Sequence, residues 1–298
     1  MDSDGIDFPG YAADGQAERA AIHAFDAARG EWIESEGAAS TWDGTSLDVA
    51  TWNTWFQGPD ADARHAGLLA CLERVKPDVL MLQEVTVPLL AKLCAAPWLR
   101  EGWRFVRTAF REDTIPAHGL VLFTRLPLAE ARIVRLKTYM GRRLLLARCR
   151  TSGGDLELAT VHLESMKNYG DVRAQQLATL FAELEPSRDA LVGGDFNFCS
   201  SDAVENARLD ARFADLWPAL RHDEPGYTQD TAANPMLARA KKAEKRVRID
   251  RLLLRSDGPA RWKARSIELL GTAPAGGRGD LYPSDHFGLL ARLASTRA

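Results

Sequence analysis

Long apolar runs are the first thing this sequence lacks. Stretches such as Val79–Leu82 fall far short of the roughly 20 residues that a bilayer-spanning helix needs. The opening segment, MDSDGIDFPG, is acidic and has neither a basic region nor an apolar one, so it has no signal-peptide character. Cysteine is sparse: Cys71, Cys94, Cys149 and Cys199, none in a CxxC pair or near histidines at zinc-finger spacing. Such a set reads as reduced thiols, and the expected location is cytoplasmic. Positive charge is not in excess. With 38 Lys and Arg against 41 Asp and Glu the net charge is −3. That excludes whole-molecule attraction to a polyanion, so any phosphate must be held by a local basic cluster or by a metal. Internal repeats and low-complexity blocks are missing as well.

What is present fits one folded unit. The chain of 298 residues, 46% hydrophobic and 27% charged, suits a single large sheet domain. Residues 1–46 read as an N-terminal extension, loose over 1–10. Within it Ile22, Phe25, Ala28 and Trp32 stand near helical spacing, which predicts an amphipathic helix over 14–36. From Leu47 the texture changes, and residues 47–298 read as the catalytic domain. Short β-rich runs follow one another: LDVATWN, PDVLMLQEV, WRFVRTAF, HGLVLFTR, RRLLLARCR, LELATVHLE, DALVGGDFN, RIDRLLLRS and HFGLLARLA. Helical stretches at 61–76, 86–96 and 171–185 separate them. Many strands with few helices predict an α/β arrangement, a β-sandwich with helices on its outer faces. The segment 226–247 is long for a compact domain, which favours a functional loop. The Gly-rich 271–280 is a second flexible loop.

The polar residues fall at the strand ends. Asn53 closes VATWN, Glu84 closes VLMLQE, His162 closes LATVH, and Asp195 and Asn197 close ALVGGDFN. Asp250 lies in RIDRLLLR, and Asp285 and His286 open HFGLLARL. Each has an ordinary explanation alone, as a turn residue, a helix cap or a satisfied core histidine. Their ordered recurrence at strand ends carries the functional reading, because strand ends on one edge of a sandwich converge. The set suits phosphodiester hydrolysis, which needs a cation against developing charge, donors around the phosphate and a base for water. Glu84 suits a hard divalent cation such as Mg²⁺. Asp195 and Asn197, two residues apart, share one face of an extended strand, one to orient or deprotonate water and the other to donate to a phosphate oxygen. His286 would stabilise negative charge, with Asp250 fixing its tautomer.

Taken together, TWN (51–53), LQE (82–84), HLES (162–165), GDFN (194–197), RIDR (248–251) and SDH (284–286) resemble the ordered motifs of the endonuclease/exonuclease/phosphatase superfamily. The resemblance runs from about residue 47 to 293. It implies a four-layered α/β-sandwich, two packed mixed sheets flanked by helices as in deoxyribonuclease I. The HLES extension, the helix after it and the YTQDT segment resemble the branch that removes tyrosyl groups from the 5′ ends of DNA. That resemblance implies catalytic roles for Asn53, Glu84, Asp195, Asn197, Asp250 and His286. It implies Mg²⁺, with Mn²⁺ substituting, on Glu84 and Asn53. Contacts to a DNA 5′ end fall to His162 and Ser165, and Asp285 matches an acid beside the catalytic histidine and the substrate. Trp55 stands where the vertebrate branch has an acidic residue, which shifts metal ligation towards Glu84.

The same reading offers a grip on DNA. The basic stretch Arg239, Lys241, Lys242, Lys245, Arg246, Arg248 and Arg251 lies beside RIDR, and Arg248 and Arg251 are its candidates for substrate contact. Trp52, Trp55, Phe110 and Phe196 are candidates to stack unpaired bases, and Arg142 and Arg143 to meet phosphate. Three alternatives remain open: an AP endonuclease or 3′ exonuclease of the same fold, a phosphatase of small molecules or lipids, and an inactive binding module.

Overall fold

A computed structural model describes residues 17–110, 117–240, 243–258, 261–275 and 277–295. The described chain opens with β1 (Ala17–Arg19), β2 (Ile22–Asp26) and β3 (Glu31–Ser35). Strand β4 (Ser46–Asn53) leads through helix α1 (Ala61–Val75) to β5 (Val79–Thr86), and α2 (Val87–Ala95) follows at once. Then come β6 (Arg104–Arg107), β7 (His118–Thr124), β8 (Leu128–Arg135), β9 (Arg143–Thr151) and β10 (Gly154–His162). Helix α3 (Gly170–Leu184) returns the chain to β11 (Asp189–Asp195). Short elements follow: α4 (Ala203–Asn206), β12 (Ala214–Asp215), α5 (Leu216–Leu220), β13 (Gln229–Asp230), α6 (Pro235–Ala240) and β14 (Arg246–Val247). The last strands are β15 (Asp250–Ser256), β16 (Trp262–Leu270) and β17 (Gly288–Ser295).

The described strands make two large mixed sheets. One runs β1-β8-β9-β10-β11-β15-β12, the other β16-β17-β4-β5-β7-β6-β2-β3. Strand alternation decides which side chains meet. Val49, Val79 and Met81 of the second sheet face Leu145, Leu158 and Leu191 of the first, and fill the space between the sheets. Their neighbours Ala50, Leu80 and Leu82 point the other way, against Leu68 and Leu72 of α1 and Leu89 and Leu93 of α2. On the opposite flank Leu177, Leu180, Phe181 and Leu184 of α3, at helical spacing, cover Leu146, Val161 and Val192. The result is the expected four-layered sandwich. Helix α1 links the parallel pair β4 and β5, and α3 the parallel pair β10 and β11. A parallel connection requires such a crossover, which leaves both pairs with their C-terminal ends on one rim.

The N-terminal segment departs from the sequence expectation. No helix forms among its described residues. Residues 22–35 fold as the β2–β3 hairpin at the edge of one sheet, while β1 joins the other sheet beside β8. The helix-forming run Ala27–Arg29 is the hairpin turn, with Asp26 Oδ1 accepting from Ala28 N at 2.9 Å and Gly30 at φ +72°. Tertiary contacts outweigh the helical spacing. His23 stacks on Phe105 at 4.5 Å, and the Trp32 ring packs edge-on to Phe105 and Phe123. The segment 226–247, expected as a functional loop, carries the short elements β13, α6 and β14. Among the described residues no helix is long and apolar enough to cross a membrane.

Because Leu180 is fully buried at the centre of the α3 contact, Leu180→Ala is expected to cost about 2–5 kcal/mol of stability. Urea unfolding followed by circular dichroism measures it; a loss under about 1 kcal/mol would contradict this packing.

Candidate active site

The rim where β4, β5, β10 and β11 end also receives the start of β15, whose Asp250 pairs in register with Asp195. The loop before β17 completes it, because β17 runs antiparallel to β4 and begins there. This topology brings Asn53, Glu84, His162, Asp195, Asp250 and His286 together from six separate segments.

The two sheets approach closely beneath the site. A methyl group on Gly193 would meet the Met81 side chain of the facing sheet, Sδ at 2.6 Å, which would have to move aside. Within its own sheet Gly194 lies so close to β10 that a methyl group would meet the Val161 carbonyl oxygen at 2.0 Å, and no side chain fits. Buried Gln83 bridges the sheets, its Nε2 donating to Thr51 Oγ1 at 3.1 Å and Thr160 Oγ1 at 3.0 Å. Immediately after it, Glu84 adopts φ +58°, and the pairing of β5 with β7 shifts register between Leu82 and Val85. A bulge of this kind re-aims one side chain, and here it turns the Glu84 carboxylate into the groove. Phe56 N donates to Glu84 Oε2 at 3.0 Å.

Asp195 is the hub. Its Oδ2 accepts from Asn53 Nδ2 at 3.0 Å and its Oδ1 from Asn197 N at 2.9 Å. His162 Nε2 stands 3.4 Å from Oδ2 and His286 Nε2 3.9 Å from it. Burial and the neighbouring Asp250 charge raise its pKa, against the lowering effect of His286 and the donated hydrogen bonds.

The two histidines are held in opposite states. His286 Nδ1 lies 2.8 Å from Asp250 Oδ2. Burial alone would lower its pKa, but Asp250, Asp285 and Asp195 together outweigh that and raise it. The side chain of Gln229 sits 2.7 Å from His286 Nε2 and 3.2 Å from Asp285 Oδ2. A side-chain amide serves either protonation state, offering N–H to a neutral ring and oxygen to a charged one. His162 is the reverse. Burial, and then the positive Arg142, hold its pKa well below the ordinary value. Arg142 Nη1 is 2.8 Å from His162 Nδ1, and a guanidinium only donates, so the ring proton lies on Nε2, facing Asp195 and Glu84. Arg142 also donates to Ser165 Oγ at 2.7 Å.

Most sequence candidates meet here. Glu84, His162, Ser165, Asp195, Asn197, Asp285 and His286 line one groove of about 560 Å³. Asn53 lies beneath it, its Oδ1 accepting from Trp55 N at 3.0 Å. Asn197 gives one amide hydrogen to Leu163 O at 3.0 Å. Asp285, expected at the substrate, faces Gln229 and His286; a carboxylate there supports the imidazole and would repel a phosphate. Arg248 and Arg251 do not reach the groove. Both are buried and ion-paired to Asp215, at 2.8 and 2.6 Å. Strand alternation explains it for Arg251: with Asp250 facing the site, the next residue faces outward, where its guanidinium lies 4.7 Å from the Phe198 ring. Of the basic stretch, Lys245 lines the groove, Arg239 pairs with Asp280 and Arg246 with Asp230. Lys241 and Lys242 lie outside the described residues. Trp52 and Phe196 are fully buried core rather than stacking surfaces, and Phe110 packs against the outer core; Trp55 does line the groove.

Three contributors escaped sequence reasoning. Gln229 had a signal in the YTQDT segment but no assigned role. Ser284 Oγ donates to Asn53 O at 2.6 Å, tying the two ends of the site together. Arg64 is fully buried and donates to the carbonyls of Thr54 and Pro283, both at 3.1 Å, and of Trp55 at 3.0 Å. It clamps the loop after Asn53 to the loop before Asp285, a role set by backbone carbonyls that no motif marks.

The family model for the endonuclease/exonuclease/phosphatase family matches residues 50–286. Tyrosyl-DNA phosphodiesterase 2 of Gallus gallus is 31% identical over 266 residues, covering 84% of this chain and 67% of the relative. The Rattus norvegicus protein of that name is 30% identical over 266 residues, with 84% and 68% covered. Among solved structures, Danio rerio TDP2 complexed with single strand DNA product superposes with a TM-score of 0.73 at 27% identity, over 85% of this chain and 100% of that one.

Replacing the His286 partner tests the site's electrostatics. Asp250→Asn removes the charge that raises the His286 pKa, so NMR titration should show the ring losing its proton at lower pH than in the wild type. Turnover should fall by about 10²–10⁴-fold; an unchanged titration would refute the assigned pairing.

Proposed function

This chain belongs to the endonuclease/exonuclease/phosphatase family and, within it, to the branch of tyrosyl-DNA phosphodiesterase 2, and from that premise we propose that it hydrolyses the bond between a tyrosine and a DNA 5′-phosphate with Mg²⁺. The observation that carries the reading is the convergence of Glu84, His162, Asp195, Asn197 and His286 on one groove.

The donor set fits a hard divalent cation. Glu84 offers a carboxylate at the groove, and Asn53 a carbonyl oxygen beside it. Asp195, Asp250 and His286 also have possible ligand atoms within 4.8 Å of one another. That triad is the poorer seat, because Asp250 and His286 are already bonded to each other at 2.8 Å. Magnesium on Glu84 and Asn53 would supply a Lewis acid for a phosphoryl oxygen. Trp55 lines the groove where the resemblance implies an acidic residue, which shifts ligation towards Glu84.

The protein groups divide the remaining work. Asp195, with its proton affinity raised by burial, orients the attacking water and takes its proton. Asn53 and Asn197 N–H fix the carboxylate that does so. The His162 Nε2–H and the His286 ring donate to phosphoryl oxygens as charge builds. The leaving tyrosine is a phenolate, of pKa about 10, so departure needs little acid assistance. A second, smaller cleft lined by His118, Met140, Arg142 and Arg143 shares Glu84 and His162 with the groove.

Glu84→Gln and Asp195→Asn are each expected to lower turnover by about two to four orders of magnitude with the fold intact. EDTA should abolish activity, and Mg²⁺ or Mn²⁺ restore it. The deciding assay offers one preparation a 5′-phosphotyrosyl oligonucleotide, an abasic duplex and a 3′-end exonuclease substrate. Preference for either of the last two would replace this reading with another nuclease of the same fold.

A further inference from the structure

Both residues assigned to the cation are aimed by backbone N–H groups of one loop. Trp55 N donates to Asn53 Oδ1 at 3.0 Å, and Phe56 N donates to Glu84 Oε2 at 3.0 Å. An amide oxygen has a second lone pair and a carboxylate a second oxygen, so each bond fixes a ligand's direction and leaves it an acceptor for a cation. Thr54 ties the loop to β5: its N donates to Gln83 O at 3.0 Å, and its hydroxyl lies 3.0 Å from the carbonyls of both Gln83 and Glu84. Residues 54–60, between β4 and α1, have no helix or strand of their own. Trp55 stands at φ +58°, a conformation unfavourable for a bulky side chain, which persists only where the surroundings impose it.

Arg64, in the first turn of α1 and fully buried, imposes it. Its guanidinium spends its donors on this loop: Nε on Pro59 O at 2.8 Å, Nη1 on Thr54 O at 3.1 Å, and Nη2 on Trp55 O at 3.0 Å and Gly58 O at 3.4 Å. Nη1 also donates to Pro283 O at 3.1 Å, just before Ser284, whose hydroxyl holds Asn53 O. The guanidinium carbon lies 5.2 Å from the centre of the Trp55 ring. Among the described residues no carboxylate stands within ion-pair distance of Arg64, so its bonding fixes backbone and does not neutralise an acid. Groups that orient a metal's ligands typically contribute about 10- to 100-fold to its affinity. We propose that Arg64 is a positioning residue for the divalent cation, setting the directions of Asn53 Oδ1 and the Glu84 carboxylate through residues 54–59 and touching neither cation nor substrate. The proposal rests on the assignment of the cation to Glu84 and Asn53.

Mn²⁺ binding to the metal-free protein, measured by isothermal titration calorimetry, tests this without substrate or turnover. Glu84→Gln identifies the relevant signal by removing it. Arg64→Lys keeps the charge but replaces a planar fork with one nitrogen, which cannot reach all the carbonyls. It should weaken Mn²⁺ binding about 10- to 100-fold. Gly58→Ala disturbs the same clamp from outside, because a methyl group there would lie 2.7 Å from Arg64 Cζ and 2.5 Å from Trp55 Cε3. It should weaken binding in the same direction, and it decides the matter if Arg64→Lys does not fold. Leu180→Ala, on the flank of the other sheet, lowers stability alone and should bind Mn²⁺ as the wild type does. Wild-type affinity in folded Arg64→Lys or in Gly58→Ala, or an equal loss in Leu180→Ala, would overturn the positioning role while leaving the cation site in place. Absence of a Glu84-dependent signal in the wild type would instead remove the cation site itself, and the proposal with it.

Discussion

One buried carboxylate organises this site. Asp195 sits at the end of β11 with almost no exposure, where an unsatisfied charge is strongly unfavourable. Its oxygens take hydrogen bonds from Asn53, on the other sheet, and from the Asn197 backbone, while His162 and His286 stand within 4 Å. The Asn53–Asp195 bond is therefore a contact between the two sheets, and it holds only when they pack in one register. Gly193, facing Met81 and Thr51, allows that approach, and Gln83, bonded to Thr51 and Thr160, sets it from beneath.

Around that hub the charges are kept unequal. Three acids surround His286 and raise its affinity for a proton, whereas burial and then the facing Arg142 lower that of His162. Two imidazoles in one groove thereby take different duties, one a cation for accumulating charge and the other a neutral donor of fixed tautomer. The supporting bonds come from remote chain positions: Asp250 from β15, Gln229 from β13, Arg142 from the turn before β9. Arg64 performs a related task without an ion pair among the described residues, holding two catalytic loops through their carbonyls.

How much of this the chain discloses in advance depends on the kind of interaction. Asn53, Glu84, His162, Asp195 and His286 are legible because each interrupts an apolar run at its end, and a period-two pattern tells where a strand stops. Arg248 and Arg251 were misjudged because a cluster of basic residues does not say which face of the sheet each will occupy. Asp215, which pairs with both, is more than thirty residues away in the chain. The 14–36 segment was misjudged for a related reason. Ile22, Phe25 and Trp32 fit a helical stripe as well as a hairpin, and the ring contacts with Phe105 and Phe123 that select the hairpin come from other strands.

Local chemistry was thus enough to mark the nine strands from β4 onward that carry or flank the motifs, the helices that cross between them and the acids, amides and histidines that end them, but not β1–β3, β8 or β16. Hydrophobic periodicity and strand termination are properties of neighbours in sequence, and edge and amphipathic strands show them weakly. The tertiary structure alone decided which of those groups touch, which histidine carries charge, which arginines are structural and where aromatic rings stand exposed. Those outcomes depend on distance, burial and the sign of nearby charge, and each is created only when two sheets bring separated segments within a few ångströms.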